Sequence, residues 1–395
     1  MNTAGAILLS TIGSRGDVQP IAALALSLKE LGTDVRVCAP PDFRDWLESL
    51  DIPFIPLGPE VRGTAKARPT AKPTPEQMLQ IAAATVAAQF AVLPDAAEGC
   101  AALVGGGALQ IALRSVAELR GIPYVYAAYC PVTLPSAHHA PPAWRGDAGN
   151  DGTPEDLWTA DARRWNASWG VALNAQRASA GLPPVADVRG HIFTGAPWLA
   201  ADPALAPWPG GGDVVQTGAW ILPDERPLPP ELERFLAAGD PPVYFGFGSV
   251  RAPDGLAAAM VAAARAHGRR AVVLRGWTDL ASPDDGPDCL SLGEVNQQAL
   301  FRRVAAVVHH GGAGTTTAAA RAGTPQVVVP QHYDQHYFAR RVEDLGIGVT
   351  ATPDDLTEAL AHALTRAPQA AAFARNVRTN GAQSAARRLL TLTGR

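Results

Sequence analysis

Apolar and polar positions alternate along this chain as short β-branched runs, each followed by a stretch of helical period. Residues 6–9 predict a strand, 11–17 a turn, and 18–31 a helix with Ile21, Leu24, Ala25, Leu28 and Leu31 on one face and Gly32 at its stop. A second strand at 35–38, a short helix at 43–50 and a third strand at 52–57 complete a βαβαβ opening. That order argues for a parallel sheet with helices on both faces. The pattern resumes with a helix at 76–93, a strand at 101–104, a helix at 110–119, a strand at 124–129 and a helix at 156–181. Two irregular segments interrupt it: 58–75, polar and rich in Pro, and 131–150, which holds Trp144 and His138-His139. Long loops at strand C-termini are where an open α/β sheet collects ligand contacts.

Residues 199–212, dense in Pro and Gly, read as a linker. A second α/β series follows: strands at 243–247, 271–274 and 289–292, helices at 256–267 and 296–303, and terminal helices at 356–366 and 370–392. The Trp158, Trp165 and Trp169 series sits along one face of its helix, and core packing is favoured over a ligand platform.

At 395 residues two domains are expected. Apolar residues, at 47%, suffice for two cores, and no uncharged apolar run of 18 residues suggests a membrane span. A formal charge of −4 without a basic block favours no nucleic acid. Four cysteines in no C-x-x-C pairing imply free thiols in a reducing cytoplasm, without zinc or disulfide. The start MNTAGAILLSTIG lacks a basic n-region and reads as a first strand.

The stretch 304–335, VAAVVHHGGAGTTTAAARAGTPQVVVPQHYDQ, carries the densest chemistry. Its apolar run 304–308 predicts a buried strand, His309 to Gly314 a glycine turn, Thr315–Thr317 a helix N-cap, 318–322 a helix stopped by Gly323, and 326–329 a further strand. The free N–H groups and positive dipole end of such a helix face whatever anion lies over the glycines, a diphosphate first of all. The loop is neither a Walker loop nor G-x-G-x-x-G. Ser249, in GFGS after another strand, can donate to the same phosphates. Asp334 and Gln335 suit paired hydrogen bonds to sugar hydroxyls, whereas a metal set of His332, Asp334 and His336 lacks ligand spacing. In the first half, Ser14-Arg15-Gly16-Asp17 occupies the first strand-to-helix turn. Asp17 either caps that helix or acts as a general base, with Arg15 placed to neutralise a diphosphate. A helix N-terminus and an arginine would both lower its pKa. No G-x-S-x-G elbow is present.

Together these residues form the motif set of a known group. The chain resembles the two-domain GT-B nucleotide-sugar glycosyltransferases, and within them the vancomycin-group glycopeptide antibiotic glycosyltransferases. The matching segments include STIGSRGDVQP (10–20), CAPPDF (38–43), RSVAELRGIP (114–123), VQTGAWILPDERPLPPELE (215–233), EVNQQALFRRVAAVVHHGGAGT (294–315) and DQHYFARRVEDLGIGV (334–349). Sterol glucosyltransferases share the GSRGDVQP and HHGG blocks.

The resemblance implies two Rossmann-like doubly wound α/β domains facing a cleft. An acceptor-binding domain would span 1–204, a linker 205–213 and a nucleotide-sugar-binding domain 214–379, with a terminal helix at 380–395 returning to the first. It implies an inverting transferase without metal or other cofactor, monomeric, moving a sugar from a UDP- or TDP-sugar to a glycopeptide aglycone. Asp17 falls where relatives with G-H-x-x-P carry a catalytic His, and Asp334 is the second candidate base. Diphosphate contacts map to Ser249, His310, Gly312, Ala313, Gly314 and Thr315, with Ser14 and Arg15 from the other half. Trp277 and Val295 lie in base-contacting segments, and Gln335 joins Asp334 at the sugar. Glu294-Val295 stands where plant relatives have a Trp. Glucose, N-acetylglucosamine and amino-deoxysugar donors stay open, as do a sterol or lipid acceptor, a nucleotide-sugar epimerase and a non-catalytic binding module.

Overall fold

The computed structural model describes residues 5–63, 74–142, 152–250, 255–277, 280 and 286–394. Most of the first irregular segment, including Lys66 and Lys72, and residues 143–150 of the second, including Trp144, lie outside them. The described residues divide into two compact units: 1–201 with 208–222 and 379–395, and 202–207 with 223–378.

The first unit is built on a parallel seven-stranded sheet, ordered β3-β2-β1-β4-β5-β6-β7. Its strands are β1 (Ala6–Thr11), β2 (Val35–Ala39), β3 (Phe54–Pro56), β4 (Cys100–Gly106), β5 (Tyr124–Ala128), β6 (Trp198–Leu199) and β7 (Val215–Gln216). β1 is buried on both faces, as an apolar run in a parallel sheet requires. α1 (Arg15–Glu30) buries Val18, Ile21, Leu24 and Leu28, the face seen in the sequence. α2 (Arg44–Glu48) follows β2, and α4 (Leu113–Arg120) ends on Gly121 in the left-handed conformation.

α3 (Pro75–Ala96) corrects one expectation. Residues 77–94 carry no charge, and by length and composition this helix could cross a membrane. It packs instead along α5 (Pro154–Ser179). Its fully buried Gln89 donates to the Leu109 carbonyl at 2.9 Å and accepts from the Ala112 N–H at 2.9 Å, a polar lock suited to a protein core. Trp158 and Trp165 are buried, the latter edge-on to Phe193, beside α6 (Val188–Phe193).

Around the expected linker the chain changes unit twice. Residues 202–207 cluster with the second unit, and 208–222 return to the first. There β7 pairs with β6, although the sequence puts residue 215 in the second domain. Both strands are two residues long, too short to show a period. The C-terminal helix, α14 (Gly381–Leu392), belongs to the first unit and packs on α1. A side chain on Gly381 would lie 2.3 Å from the Ala219 carbonyl oxygen, so only glycine permits that approach.

The second unit holds a parallel six-stranded sheet, ordered β10-β9-β8-β11-β12-β13. Its strands are β8 (Val243–Gly246), β9 (Ala271–Leu274), β10 (Cys289–Leu292), β11 (Ala306–His309), β12 (Gln326–Val328) and β13 (Gly348–Thr350). Around it pack α7 (Pro230–Ala237), α8 (Leu256–Ala266), α9 (Gln297–Leu300), α10 (Ala313–Ala322), α11 (Asp334–Asp344), α12 (Leu356–Leu364) and α13 (Ala367–Phe373). The long C-terminal helix expected at 370–392 is broken between Phe373 and Gly381. α11 hides behind charged residues in the sequence, because only Gln335, Phe338, Ala339 and Val342 face inward.

Strand order reverses between β1 and β4 in one sheet and between β8 and β11 in the other. Ligands bind outside the strand C-termini at such switch points. The turns after β1 and β11 carry the candidate residues.

Candidate active site

After β1, Ser14 rather than Asp17 is the N-cap of α1. Its hydroxyl accepts the Gly16 N–H at 3.3 Å. Asp17 is the third helical residue and closes a capping box: Oδ2 accepts from the Ser14 N–H at 2.8 Å and from Ser14 Oγ at 3.2 Å. Two glycines make room for the carboxylate. A side chain on Gly13 would sit 2.2 Å from Oδ2, and one on Gly107, in the turn after β4, 3.2 Å from Oδ1. Tyr129 donates its hydroxyl to the Asp17 backbone carbonyl at 3.2 Å.

The pKa of Asp17 is raised above its ordinary value, mainly by burial; the Ser14 hydrogen bonds lower it and do not cancel that cost. This reverses the direction expected from the helix end and Arg15. The raising effect comes from distant residues brought over the turn, and it makes a stronger base. The Arg15 guanidinium lies over the Trp46 ring, 3.5 Å from its centroid, a cation–π contact within the first unit. Thr11 Oγ1, fully buried and 4.0 Å from where a Gly107 side chain would begin, has no hydrogen-bond partner; neither residue stands out in the sequence.

The turn after β11 is built differently. Gly311 takes φ +90°, and a side chain there would meet Val328 Cγ1 at 2.7 Å and the Gln335 carbonyl oxygen at 3.0 Å. His309 is fully buried and holds this turn: Nδ1 accepts the Gly311 N–H at 3.0 Å, so Nε2 carries the proton and donates to Gln326 Oε1 at 2.9 Å. Burial lowers its pKa to about 3, and the ring is neutral at pH 7. His310 is also held neutral, its pKa lowered to about 4 by burial and by nearby His332. Its Nδ1 is buried without a partner, and Nε2 points to where a Gly312 side chain would be, 2.5 Å away.

The N-cap of α10 is Gly312, with no side-chain cap. The threonine cluster does not supply one, contrary to expectation. Thr316 and Thr317 lie inside the helix and donate back to the Gly312 and Ala313 carbonyls at 2.9 and 2.7 Å. The N–H groups of Ala313, Gly314 and Thr315, unable to bond within the helix, face outward and can take an anion. Beside them, the Trp277 N–H donates to the Gly248 carbonyl at 2.9 Å, which brings the turn holding Trp277 against the one holding Ser249. Val295 is buried in the core near Leu292, Leu300 and Phe301.

Asp334 opens α11, and Gln335 locks the loop before it. Gln335 Oε1 accepts from the N–H groups of Gln331 and His332 at 2.8 and 3.1 Å, which leaves the amide N–H rather than the oxygen for any further contact. Gln331 Nε2 is a buried, unpartnered donor in the same loop. Among the described residues no group of three or more His, Cys, Asp or Glu gathers as a metal site.

Both units match known glycosyltransferase families. Residues 7–139 match the glycosyltransferase family 28 N-terminal domain, and 286–388 the C-terminal domain described as erythromycin biosynthesis protein CIII-like. Glycosyltransferase GtfE of Amycolatopsis orientalis is 53% identical over 403 residues, covering 98% of each chain. Vancomycin aglycone glucosyltransferase of the same organism is 49% identical over 405 residues, again with 98% of each chain covered. The chain belongs to the glycopeptide antibiotic glycosyltransferases. Its fold is GT-B: the glycosyltransferase of kitacinnamycin superposes with a TM-score of 0.74 at 18% identity, covering 99% of this chain and 100% of that one. A Streptomyces sp. SF2575 glycosyltransferase complexed with thymidine diphosphate gives 0.65 at 20% identity, covering 98% and 99%. The enzyme is therefore a sugar transferase.

Proposed function

We propose that this enzyme, acting as a cytoplasmic monomer, transfers a sugar from a UDP- or TDP-sugar to a hydroxyl of a glycopeptide antibiotic aglycone, inverting the anomeric centre. The observation that carries the reading is the contrast between two helix ends. One presents a carboxylate with a raised pKa, and the other presents unspent N–H groups beside a neutral imidazole.

In this reading Asp17 Oδ1 removes the proton from the acceptor hydroxyl. The oxygen forms its bond to the anomeric carbon from the face opposite the diphosphate. The bond from that carbon to the diphosphate breaks, and its electron pair leaves on phosphate oxygen. The growing charge is held by the N–H groups of Ala313, Gly314 and Thr315, by His310 and by the Ser249 hydroxyl. Asp334 and Gln335 hold the sugar, and Trp277 with the backbone at Val295 meets the nucleobase. Ser14 holds Asp17 in place, and Arg15 adds positive charge toward the diphosphate. Those donors supply the stabilisation without a metal, so transfer survives chelation with EDTA.

Identity of 49% to an enzyme named for a glycopeptide aglycone supports this acceptor over a sterol or lipid. The direct test incubates glycopeptide aglycone with a panel of UDP- and TDP-sugars and reads product mass. One added hexosyl or amino-deoxyhexosyl mass supports the reading, and donor conversion without aglycone would support an epimerase instead.

A further inference from the structure

Tyr333 combines two properties that seldom meet in one residue. Its backbone lies at φ 47° and ψ −121°, a conformation that suits glycine and strains a residue with a bulky side chain. Among the described residues only Asp51 and Thr194 join it as non-glycine positions of positive φ. The residue, meanwhile, is 52% exposed, and its ring makes an edge contact to His332 at 6.3 Å between centroids.

The surrounding loop holds that conformation from both ends. Gln335 ties Gln331 and His332 together through its side-chain oxygen, and the Gln335 N–H returns to the His332 carbonyl at 3.0 Å. On the other side Gly311 lets the diphosphate turn lie directly against the Gln335 backbone. An aromatic ring is thus carried by the same loop as Asp334 and Gln335, and that loop lies against the diphosphate turn through the Gln335 backbone. A hexopyranose has the matching chemistry, with hydroxyls at its edge and a C–H face that packs on an aromatic ring.

We propose that Tyr333 is a specificity-determining residue for the donor, its ring packing on the C–H face of the sugar whose hydroxyls Asp334 and Gln335 engage. This rests on the nucleotide-sugar reading of the second unit. The strained backbone presents the ring, and a glycine there would relax the loop while removing the platform.

Calorimetric titration of TDP, UDP, TDP-glucose and UDP-glucose into wild type, Tyr333→Gly and Tyr333→Phe tests it, with melting temperatures alongside. Tyr333→Gly is expected to bind the free nucleotide within about twofold of wild type and the matching nucleotide sugar about tenfold more weakly. Tyr333→Phe keeps both affinities, and Tyr333→Gly melts no lower than wild type. Equal losses for nucleotide and nucleotide sugar, or no loss for either, would overturn the proposal. If wild type binds none of the four, the nucleotide-sugar reading itself fails, an outcome separate from wild-type binding that Tyr333→Gly leaves unchanged.

Discussion

The turns after β1 and β11 both border the switch point of their sheets, β1 as the first strand of its sheet and β11 as the fourth of its own, and each opens a helix, yet they end with opposite chemistry. At α1 the helix end is satisfied from within. Ser14 and Asp17 close a capping box, and what the turn holds is a buried carboxylate. At α10 the cap is a glycine, the threonines turn their hydroxyls backward, and what faces outward is a set of N–H donors. A strand-to-helix turn beside a switch point can carry a proton acceptor or an anion cradle according to whether a side chain has already taken the helix N–H groups. A transferase that deprotonates one substrate and releases a diphosphate from the other needs one of each.

The comparison breaks most directly at Asp17. Asp17→Asn retains the size of the side chain and an oxygen for the Ser14 N–H, and removes the base. Steady-state kinetics should show turnover lower by about 10²–10⁴-fold. The same variant should be more stable than wild type at neutral pH. A carboxyl whose folded pKa is raised destabilises the folded state once pH exceeds its unfolded pKa, so the gain should shrink as pH falls. Retained turnover would move the base elsewhere, to Asp334 first.

Gly311→Ala probes the frame of the cradle. It places a methyl 2.7 Å from Val328 Cγ1 in a left-handed conformation and should cost about 2–3 kcal/mol in denaturant unfolding. A second effect on the same turn comes from pH. His309 and His310 have folded pKa values lowered to about 3 and about 4, against 6.5 when unfolded. The unfolded chain therefore binds more protons below pH 6.5, and stability falls as pH drops from there toward about 4. Each histidine contributes up to about 1.4 kcal/mol per pH unit. Removing the His309 titration with His309→Asn should flatten that slope in chemical denaturation measured at several pH values.

Much of this was legible in sequence, for identifiable reasons. Strands Ala271–Leu274 and Cys289–Leu292 were delimited residue for residue, because β-branched or apolar runs between polar turns are local signals. The α10 glycine stop at Gly323 was visible for the same reason. What was missed depends on partners far along the chain. β6 and β7 exist only by pairing. The raised pKa of Asp17 comes from burial by remote parts of the first unit, while the sequence near Asp17 shows only the groups that lower it. Thr315–Thr317 have the composition of a cap, but the helix begins before them, at Ala313. Tyr333 gives no signal at all in sequence, since its strain is a property of the closed loop.

The helix end at Gly312 is free, and the one at Ser14–Asp17 is occupied. Titrating TDP into wild type, Gly312→Asp and Asp17→Asn by calorimetry tests this contrast most directly. A carboxylate at position 312 would cap α10 from within and press on His310, 2.5 Å from the new Cβ. TDP affinity should fall at least about thirtyfold in Gly312→Asp and stay within about twofold of wild type in Asp17→Asn. Unchanged affinity in Gly312→Asp, or an equal fall in both, would contradict the division of labour between the two turns.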